Sequence, residues 1–159
     1  MQILRIICRP ERYRSEYKMI TIRKNEITVS QYLDIRAKVG WKVLKETQAS
    51  IALQNSLLVV GAYEHDTLVG MGRLVGDGAV ICYVQDLIVI PEYQKKGIGS
   101  IVLRTLISYV SELRQEGSEM MLCLMCAKGR ESFYEKHGFI ARPNHDLGPG
   151  MIQYLQDDR

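Results

Sequence analysis

Residues 85–107 read QDLIVIPEYQKKGIGSIVLRTLI and pass from a strand pattern to a helix pattern within one short turn. The apolar, β-branched run ends at a proline and two lysines, and apolar residues then recur at the spacing of an amphipathic helix. Gly97 and Gly99 stand where that helix begins, although glycine costs about 1 kcal/mol relative to alanine inside a helix. A property that only glycine supplies is therefore expected at this turn.

The turn has the chemistry of an anion site. The first turn of a helix presents unpaired N–H groups and the positive end of the helix dipole, and glycine lets an anion approach that backbone closely. Ser100 adds a hydroxyl donor, and Lys95 and Lys96 add positive charge at the rim. The pattern predicts a cradle for a phosphate or pyrophosphate, but a tight turn that needs small residues for packing explains the spacing equally well.

Two common phosphate motifs do not fit, and a third pattern does. A Walker loop requires another glycine five residues before Gly97, and a Rossmann loop requires a glycine where Val102 stands. The segment Gln94–Gly99 fits Q/R-x-x-G-x-G/A and, with LIVIPEY before it, resembles the acetyl-CoA loop of the GNAT superfamily of N-acetyltransferases. The block RESFYEKHGF, Arg130–Phe139, resembles the tyrosine-containing helix and Gly-Phe strand start of the same family. The resemblance covers about residues 19–155.

The resemblance implies a binding site for acetyl-CoA as co-substrate. Backbone groups of Leu87, Ile88 and Val89 are expected to pair with its pantetheine arm like an added strand, where two strands splay apart. Arg130 stands where the family often has a cofactor-contacting Asn; a salt bridge to a phosphate and loss of that contact both remain open. The loop residues expected around the pyrophosphate are Gln94, Lys95, Lys96, Gly97, Ile98, Gly99 and Ser100.

The same resemblance suggests the catalytic residues. Tyr134 matches the family's general acid, and a tyrosine of pKa about 10 can protonate a departing thiolate whose pKa is about 8.5. Gln85 stands where the family often has a Glu or His base, but an amide cannot act as a base. Asp86 is the only carboxylate of this strand; simple alternation turns it away from Gln85, and a bulge could re-aim it. We expect Asp86 to act as the base, directly or through a water, and Gln85 to orient the acceptor or that water. The rival is an enzyme that binds neutral amine and has no dedicated base.

The predicted fold class is α/β, with a GNAT-like mixed, mostly antiparallel sheet, splayed central strands and helices on both faces. Ser30 is the predicted N-cap of the first helix, and the central strands at 79–90 and 119–126 are expected to be buried on both faces. The patterns predict helices at 29–39, 44–55, 97–115 and 130–137, and strands at 19–23, on both sides of a turn at 64–67, at 79–90 and 119–126, and in GFIAR and MIQYL.

Length and charge restrict the class of protein. The 159 residues suggest one domain, 19–159, preceded by a dispensable basic extension, 1–18. The extension carries five basic and two acidic residues and so accounts for the whole net charge of +3. The remaining domain is neutral, which argues against a nucleic-acid partner. The longest apolar run is far below the roughly 18 residues that a membrane span needs.

No metal site is expected. Cys123 and Cys126 have the spacing of half a zinc site, but no second pair exists, and two buried cysteines are the simpler interpretation. Without a secretory segment or a disulfide pattern, a reducing cytoplasm is the expected location.

Three classes of function follow from these patterns. The first is an acetyl-CoA-dependent N-acetyltransferase that acts on a primary amine of a small molecule or peptide, by direct attack without an acyl-enzyme. The second is a catalytically silent acetyl-CoA sensor with the same fold, and the third is an interaction module in which the glycines are structural. The sequence also leaves a homodimer open.

Overall fold

The computed structural model describes residues 5–6 and 19–155. The chain divides into two compact units, residues 1–123 and 124–159. Within the described residues, the first unit contains a six-stranded sheet and three α-helices, and the second contains one short helix.

The strands of the sheet follow the chain order, and each pairs antiparallel with the next except the last two, which are parallel. This confirms the predicted mixed, mostly antiparallel sheet. The strands are β1 (Arg5–Ile6), β2 (Ile20–Lys24), β3 (Leu58–Glu64), β4 (Thr67–Gly76), β5 (Ile81–Val89) and β6 (Met121–Cys123).

The helices of the first unit are α1 (Val29–Lys38), α2 (Glu46–Gln54) and α3 (Ile98–Leu113). The predicted N-cap of α1, Ser30, is wrong, because the helix begins at Val29 and Ser30 lies in its first turn. Thr28 caps it in a reciprocal capping box: its hydroxyl accepts from Gln31 N at 3.2 Å, and Gln31 Oε1 accepts from Thr28 N at 3.0 Å. None of the described helices has both the length and the apolar character needed to cross a lipid bilayer.

Helix α3 packs directly on the bare backbone of β4. A Cβ atom at Gly70 would lie 2.9 Å from Ile98 Cγ2, and one at Gly72 would lie 2.9 Å from Val102 Cγ1. Such distances leave no room for a side chain, so these glycines set how closely the helix approaches the sheet.

The opposite face of the sheet carries α1 and α2. Arg73 follows Gly72 in β4 and therefore points away from α3. Its Nη1 donates to Ala52 O at 3.0 Å and to Ser56 Oγ at 2.9 Å, at the end of α2. Tyr32 of α1 donates to Asp86 of β5 on this same face. The sheet is therefore covered by helices on both faces, as predicted.

Strand β6 ends soon after it pairs with β5. They pair only between Ile81–Tyr83 and Met121–Cys123, while β5 continues to Val89. The predicted splay is confirmed, but the predicted strand at 119–126 is too long, since only three residues find a partner. Its predicted double burial is also wrong, because Met121 is 50% exposed.

Strand β5 does not bury all of its side chains. Its even-numbered residues from Cys82 to Ile88 are buried, and its odd-numbered residues are half-buried. The expectation of burial on both faces is therefore wrong for β5. The buried side chains change faces along the strand, because Val84 pairs with Leu74 and Ile88 pairs with Met71, and these two β4 residues point to opposite faces.

The predicted N-terminal extension, residues 1–18, lies outside the described residues except at Arg5 and Ile6. These two residues pair with Thr21 and Ile20 of β2. That residues 1–18 are dispensable stays a prediction, and the pairing gives a truncated protein a defined contact to lose.

In the second unit, α4 (Glu131–Glu135) is shorter than the predicted helix at 130–137. Gly138 N donates to Glu135 O at 3.0 Å, and Gly138 has a φ of +87°, which ends the helix in the left-handed region. The predicted strands in GFIAR and MIQYL are wrong: residues 139–155 contain no strand, and Ile140 and Leu155 are 76% and 88% exposed. Their apolar side chains bury too little surface here to favour a strand.

Candidate active site

The loop between β5 and α3 owes its shape to two left-handed residues. Gly97 is the N-cap of α3 with a φ of +82°, and Lys95 has a φ of +59°. Glycine adopts this conformation at little cost, which accounts for Gly97. Because Gly97 has no side chain, no side-chain hydrogen bond caps the first turn of α3, where Gly99 and Ser100 lie. Backbone N–H groups of this turn are thus available to an anion.

Side chains fasten this loop to the sheet. Gln94 Nε2 donates to Val89 O at 2.9 Å, which closes the loop onto the end of β5. Tyr93 donates its hydroxyl to the carboxylate of Glu64 at the end of β3. Lys96 Nζ lies 4.9 Å from the centroid of the Tyr93 ring. The basic rim of the loop is therefore held by the tip of the β3–β4 hairpin.

A bulge interrupts β5 beyond its last pair with β6. Met71 pairs with Ile88 and Arg73 pairs with Gln85, so two steps along β4 match three steps along β5. Asp86 and Leu87 therefore lie opposite Gly72 alone, which is a β-bulge. Asp86 has a φ of +54°, a region that Asp tolerates better than most residues.

The bulge directs the Asp86 side chain into a cluster of donors. Its Oδ2 accepts from Tyr32 Oη at 2.5 Å and from Arg73 Nε at 2.8 Å. Its Oδ1 accepts from Arg36 Nη1 at 2.8 Å and from Gln85 Nε2 at 3.0 Å. The Asp86 side chain is 0% exposed, and the side chains of Arg36 and Arg73 are 12% and 9% exposed.

These contacts fix the ionisation of the cluster. Burial acts to raise the pKa of Asp86, but the hydrogen bonds of Tyr32, Arg73 and Gln85 and the charge of Arg73 outweigh burial and lower that pKa. Burial and the hydrogen bond to Asp86 raise the pKa of Tyr32 to about 12. Asp86 is thus a stable carboxylate at neutral pH, with its oxygens already occupied by donors.

Arg36 extends the cluster toward the surface. Its Nη2 donates to Lys42 O at 3.3 Å, and its guanidinium lies 5.2 Å from the centroid of the Trp41 ring. Trp41 is 38% exposed and follows the end of α1. The segment after α1 is therefore tied to Asp86 through one arginine.

In the second unit, Tyr134 lies on α4 and is half-buried. Its ring meets those of Phe133 and Phe139 edge-on, with centroids 5.0 Å and 5.9 Å away. Arg130 is exposed and stands at the N-terminus of α4 without capping it by its side chain. Aromatic packing thus fixes the ring of Tyr134, and the guanidinium of Arg130 is accessible to solvent.

Comparison with known proteins agrees with this architecture. Residues 54–141 match the family of the acetyltransferase (GNAT) domain. The chain belongs to the GNAT family of acetyltransferases.

Individual relatives support the assignment to GNAT. An acetyltransferase of the GNAT family from Streptococcus pneumoniae TIGR4 is 34% identical, with a TM-score of 0.73 over 87% of this chain and 100% of that chain. A probable acetyltransferase of unknown function from meticillin-resistant Staphylococcus aureus is 27% identical, with a TM-score of 0.75 over 86% of this chain and 100% of that chain. An uncharacterized ycf52-like N-acetyltransferase from Prochlorococcus marinus is 29% identical over 80% of this chain and 71% of the relative.

The structure brings some predicted GNAT site residues together within the first unit. The loop from Gln94 to Ser100 follows Leu87, Ile88 and Val89 after four residues, and these three lie on the stretch of β5 beyond its pairing with β6. Gln85 contacts Asp86, which simple alternation did not predict. The bulge suggested for this strand is present.

Sequence reasoning missed the partners of Asp86. Tyr32 lies 54 residues away along the chain, and only the fold brings it close. Arg73 did give a signal, because it is the one charged residue in the otherwise apolar and glycine-rich strand TLVGMGRLVG. A charge at a position of predicted burial requires a partner of opposite charge.

The predicted pair of buried cysteines is only partly buried. Cys123 is half-buried and its Sγ donates to Cys82 O at 3.7 Å, whereas Cys126 is exposed, so the expectation of two buried cysteines is wrong. His145 Nδ1 lies 2.9 Å from Asp146 Oδ1 in a pair whose side chains are 98% and 85% exposed. Among residues 19–155, no group of three His, Cys, Asp or Glu side chains could hold a metal ion.

Proposed function

We propose that this GNAT protein transfers the acetyl group of acetyl-CoA to a primary amine of a small molecule or peptide. The observation that carries the proposal is the left-handed Gly97 at the uncapped start of α3, next to a stretch of β5 that β6 leaves unpaired. An anion-binding turn and an open strand edge suit a ligand with a pyrophosphate and an amide-containing arm.

Each part of the first unit has a role in this proposal. The N–H groups from Lys95 to Ser100 bind the pyrophosphate, and Lys96 adds a positive charge. Backbone groups of Leu87–Val89 pair with the arm, and one of their N–H groups hydrogen-bonds the acetyl oxygen as negative charge develops there.

Acetyl-CoA supplies the acetyl group as a thioester. The neutral amine nitrogen bonds to the acetyl carbon, the carbon–sulfur bond breaks, and the amine nitrogen gives one proton to water. Tyr134 gives its hydroxyl proton to the departing sulfur and regains one from solvent. Arg130 is proposed to contact a phosphate of the cofactor.

Gln85 is proposed to receive the acceptor. An ionised carboxylate only accepts hydrogen bonds, so the Gln85 NH₂ group must face Asp86. This orientation leaves its Oε1 as an acceptor for an amine N–H or a water. That Asp86 itself acts as the base stays a prediction, but its lowered pKa and four donors make it a poor base near neutral pH.

Gln85 is an amide and the carboxylate of Asp86 is buried, so neither offers the acceptor an accessible base. This favours a second candidate function, a catalytically silent acetyl-CoA sensor. The two candidates differ in a direct measurement. The enzyme binds acetyl-CoA in calorimetry and releases free thiol with at least one member of an amine panel. The sensor binds acetyl-CoA and releases no thiol with any amine, and an interaction module does neither.

The loop is tested with Gly99→Val, which adds a branched side chain in the first turn of α3. We expect acetyl-CoA affinity to fall at least about tenfold, equivalent to about 1.4 kcal/mol. Ser111→Val places the same side chain at an exposed position near the other end of α3 and should leave affinity unchanged. Equal affinity of a folded Gly99→Val variant and the wild type would rule out the pyrophosphate site at this loop.

A further inference from the structure

The cluster around Asp86 lies at the bulge of β5. Asp86 and Leu87 are the two residues that face Gly72, and Asp86 is the one with the left-handed backbone. The residues after the bulge, Leu87–Val89, form the part of β5 that β6 leaves unpaired. The conformation of Asp86 therefore sets the register in which that stretch pairs with β4.

The donors that hold Asp86 come from separate elements. Tyr32 and Arg36 lie on α1, Arg73 lies on β4, and Gln85 lies on β5 itself. Arg73 is fixed in turn by Ala52 O and Ser56 Oγ at the end of α2. An alternative path of β5 that moved the carboxylate would leave buried guanidinium groups without it.

Overall stability is an incomplete explanation for such a cluster. Buried ion pairs often contribute less to stability than apolar side chains of similar size, because the charges must be desolvated. In some proteins they are retained because they select one conformation among several. Here the conformation selected would be the bulge, whose left-handed residue a regular strand does not require.

We propose that Asp86 is a positioning residue, held by Arg36 and Arg73 so that the bulge keeps Leu87–Val89 aligned to receive acetyl-CoA. The proposal rests on the proposed function, since it assumes that acetyl-CoA binds along β5. It gives Asp86 no proton to carry, in contrast to the base predicted from the sequence. It also gives Arg73, which lies on β4, an effect on cofactor affinity.

The test begins with acetyl-CoA binding to the wild type by calorimetry, since absence of binding there removes the proposed function itself. Given binding, we expect Asp86→Asn and Arg73→Met each to weaken acetyl-CoA affinity at least about tenfold. Asp34→Asn makes the same chemical change in the exposed Asp34–Lys38 pair of α1 and should change nothing. Val60→Ala, in the fully buried part of β3, should lower the melting temperature and leave affinity unchanged.

A role in stability alone predicts a different pattern. Affinity would then follow the melting temperature, so Val60→Ala would weaken binding as much as Asp86→Asn does at matched stability. That result, or unchanged affinity in folded Asp86→Asn, overturns the proposal. If Asp86→Asn does not fold, Tyr32→Phe and Arg36→Gln each remove one donor and keep the carboxylate, and unchanged affinity in both also overturns it.

The pH dependence of kcat/KM separates positioning from base catalysis. Under the proposal, Asp86→Asn keeps the acidic limb of the wild-type profile, and Arg73→Lys recovers part of the affinity lost in Arg73→Met. Loss of the acidic limb in Asp86→Asn alone would make Asp86 the base and overturn the positioning role.

Discussion

Arg73 and Asp86 form a buried ion pair across strands β4 and β5. Arg73 Nε lies 2.8 Å from Asp86 Oδ2, and the two side chains are 9% and 0% exposed. The backbone partner of Arg73 is Gln85, so the guanidinium meets the residue one step further along, where the bulge turns it inward. The pair therefore depends on the irregularity of β5.

Asp86→Asn is expected to lower the free energy of unfolding by about 3–5 kcal/mol, because it leaves two guanidinium groups without their carboxylate. Arg73→Met is expected to have an effect of similar size. The double variant should lose less than the sum of the two, since the residues interact directly. Urea unfolding monitored by circular dichroism measures all three. Additive losses would show that Arg73 and Asp86 are not coupled.

The loss of stability in Asp86→Asn is expected to depend on pH. Burial raises the pKa of Asp86, but its hydrogen bonds and the charge of Arg73 lower that pKa by more than burial raises it. The pKa of Asp86 in the folded protein therefore lies below its value in the unfolded chain. The contribution of Asp86 is thus present above its unfolded pKa of about 3.9 and is lost as the pH falls through the folded pKa. The difference in stability between wild type and Asp86→Asn should be constant above about pH 5 and shrink in stronger acid. A difference that grew in acid would contradict the lowered pKa.

Tyr32 is expected to ionise with a pKa of about 12, because burial and its hydrogen bond to Asp86 disfavour the phenolate. Since the folded pKa is raised, the stabilisation that Tyr32 provides is present below pH 10 and is lost between about pH 10 and 12. Ultraviolet absorbance of the phenolate measures the titration, and Tyr32→Phe should remove a component from its alkaline end. If the Tyr32→Phe titration curve instead lacked a phenolate component near pH 10, the raised pKa of Tyr32 would be contradicted.

Local signals in the sequence were sufficient for the turn from β5 to α3. Two glycines and two lysines between a β-branched run and a helical pattern predict that turn, and the left-handed φ of Gly97 explains one glycine. The close approach of α3 to Gly70 and Gly72 could not be predicted in this way, because it depends on which helix lies over β4. The Tyr32–Asp86 contact likewise joins residues 54 positions apart.

The wrong strand predictions after residue 118 have a common physical cause. Apolar runs such as MIQYL predict a strand only if a neighbouring strand and a packed face are available. β6 ends after three paired residues, and the later apolar side chains, such as Met151 and Leu155, remain exposed. Pattern alone does not reveal the absence of such a partner.

Gly97→Ala is expected to destabilise the protein by about 1–2 kcal/mol, because alanine is strained in the left-handed region. No clash adds to this loss, since a Cβ atom at Gly97 would have no neighbour within 4 Å. Gly97→Asn should cost less, because Asn tolerates this conformation better. Thermal unfolding measures the ranking, and an equal loss for both variants would mean that conformation is not what selects glycine here.

Tyr134→Phe is expected to lower kcat by about 10²-fold or more, because it removes the hydroxyl proposed to protonate the leaving sulfur. The ring contacts with Phe133 and Phe139 do not require the hydroxyl, so acetyl-CoA affinity and melting temperature should change little. Tyr154→Phe makes the same change at a side chain that is 78% exposed and serves as the control. Thiol release gives kcat and calorimetry gives affinity. A Tyr134→Phe variant with full kcat would mean that the thiolate leaves unassisted or that another donor protonates it, and a parallel loss of affinity would instead make Tyr134 a binding residue.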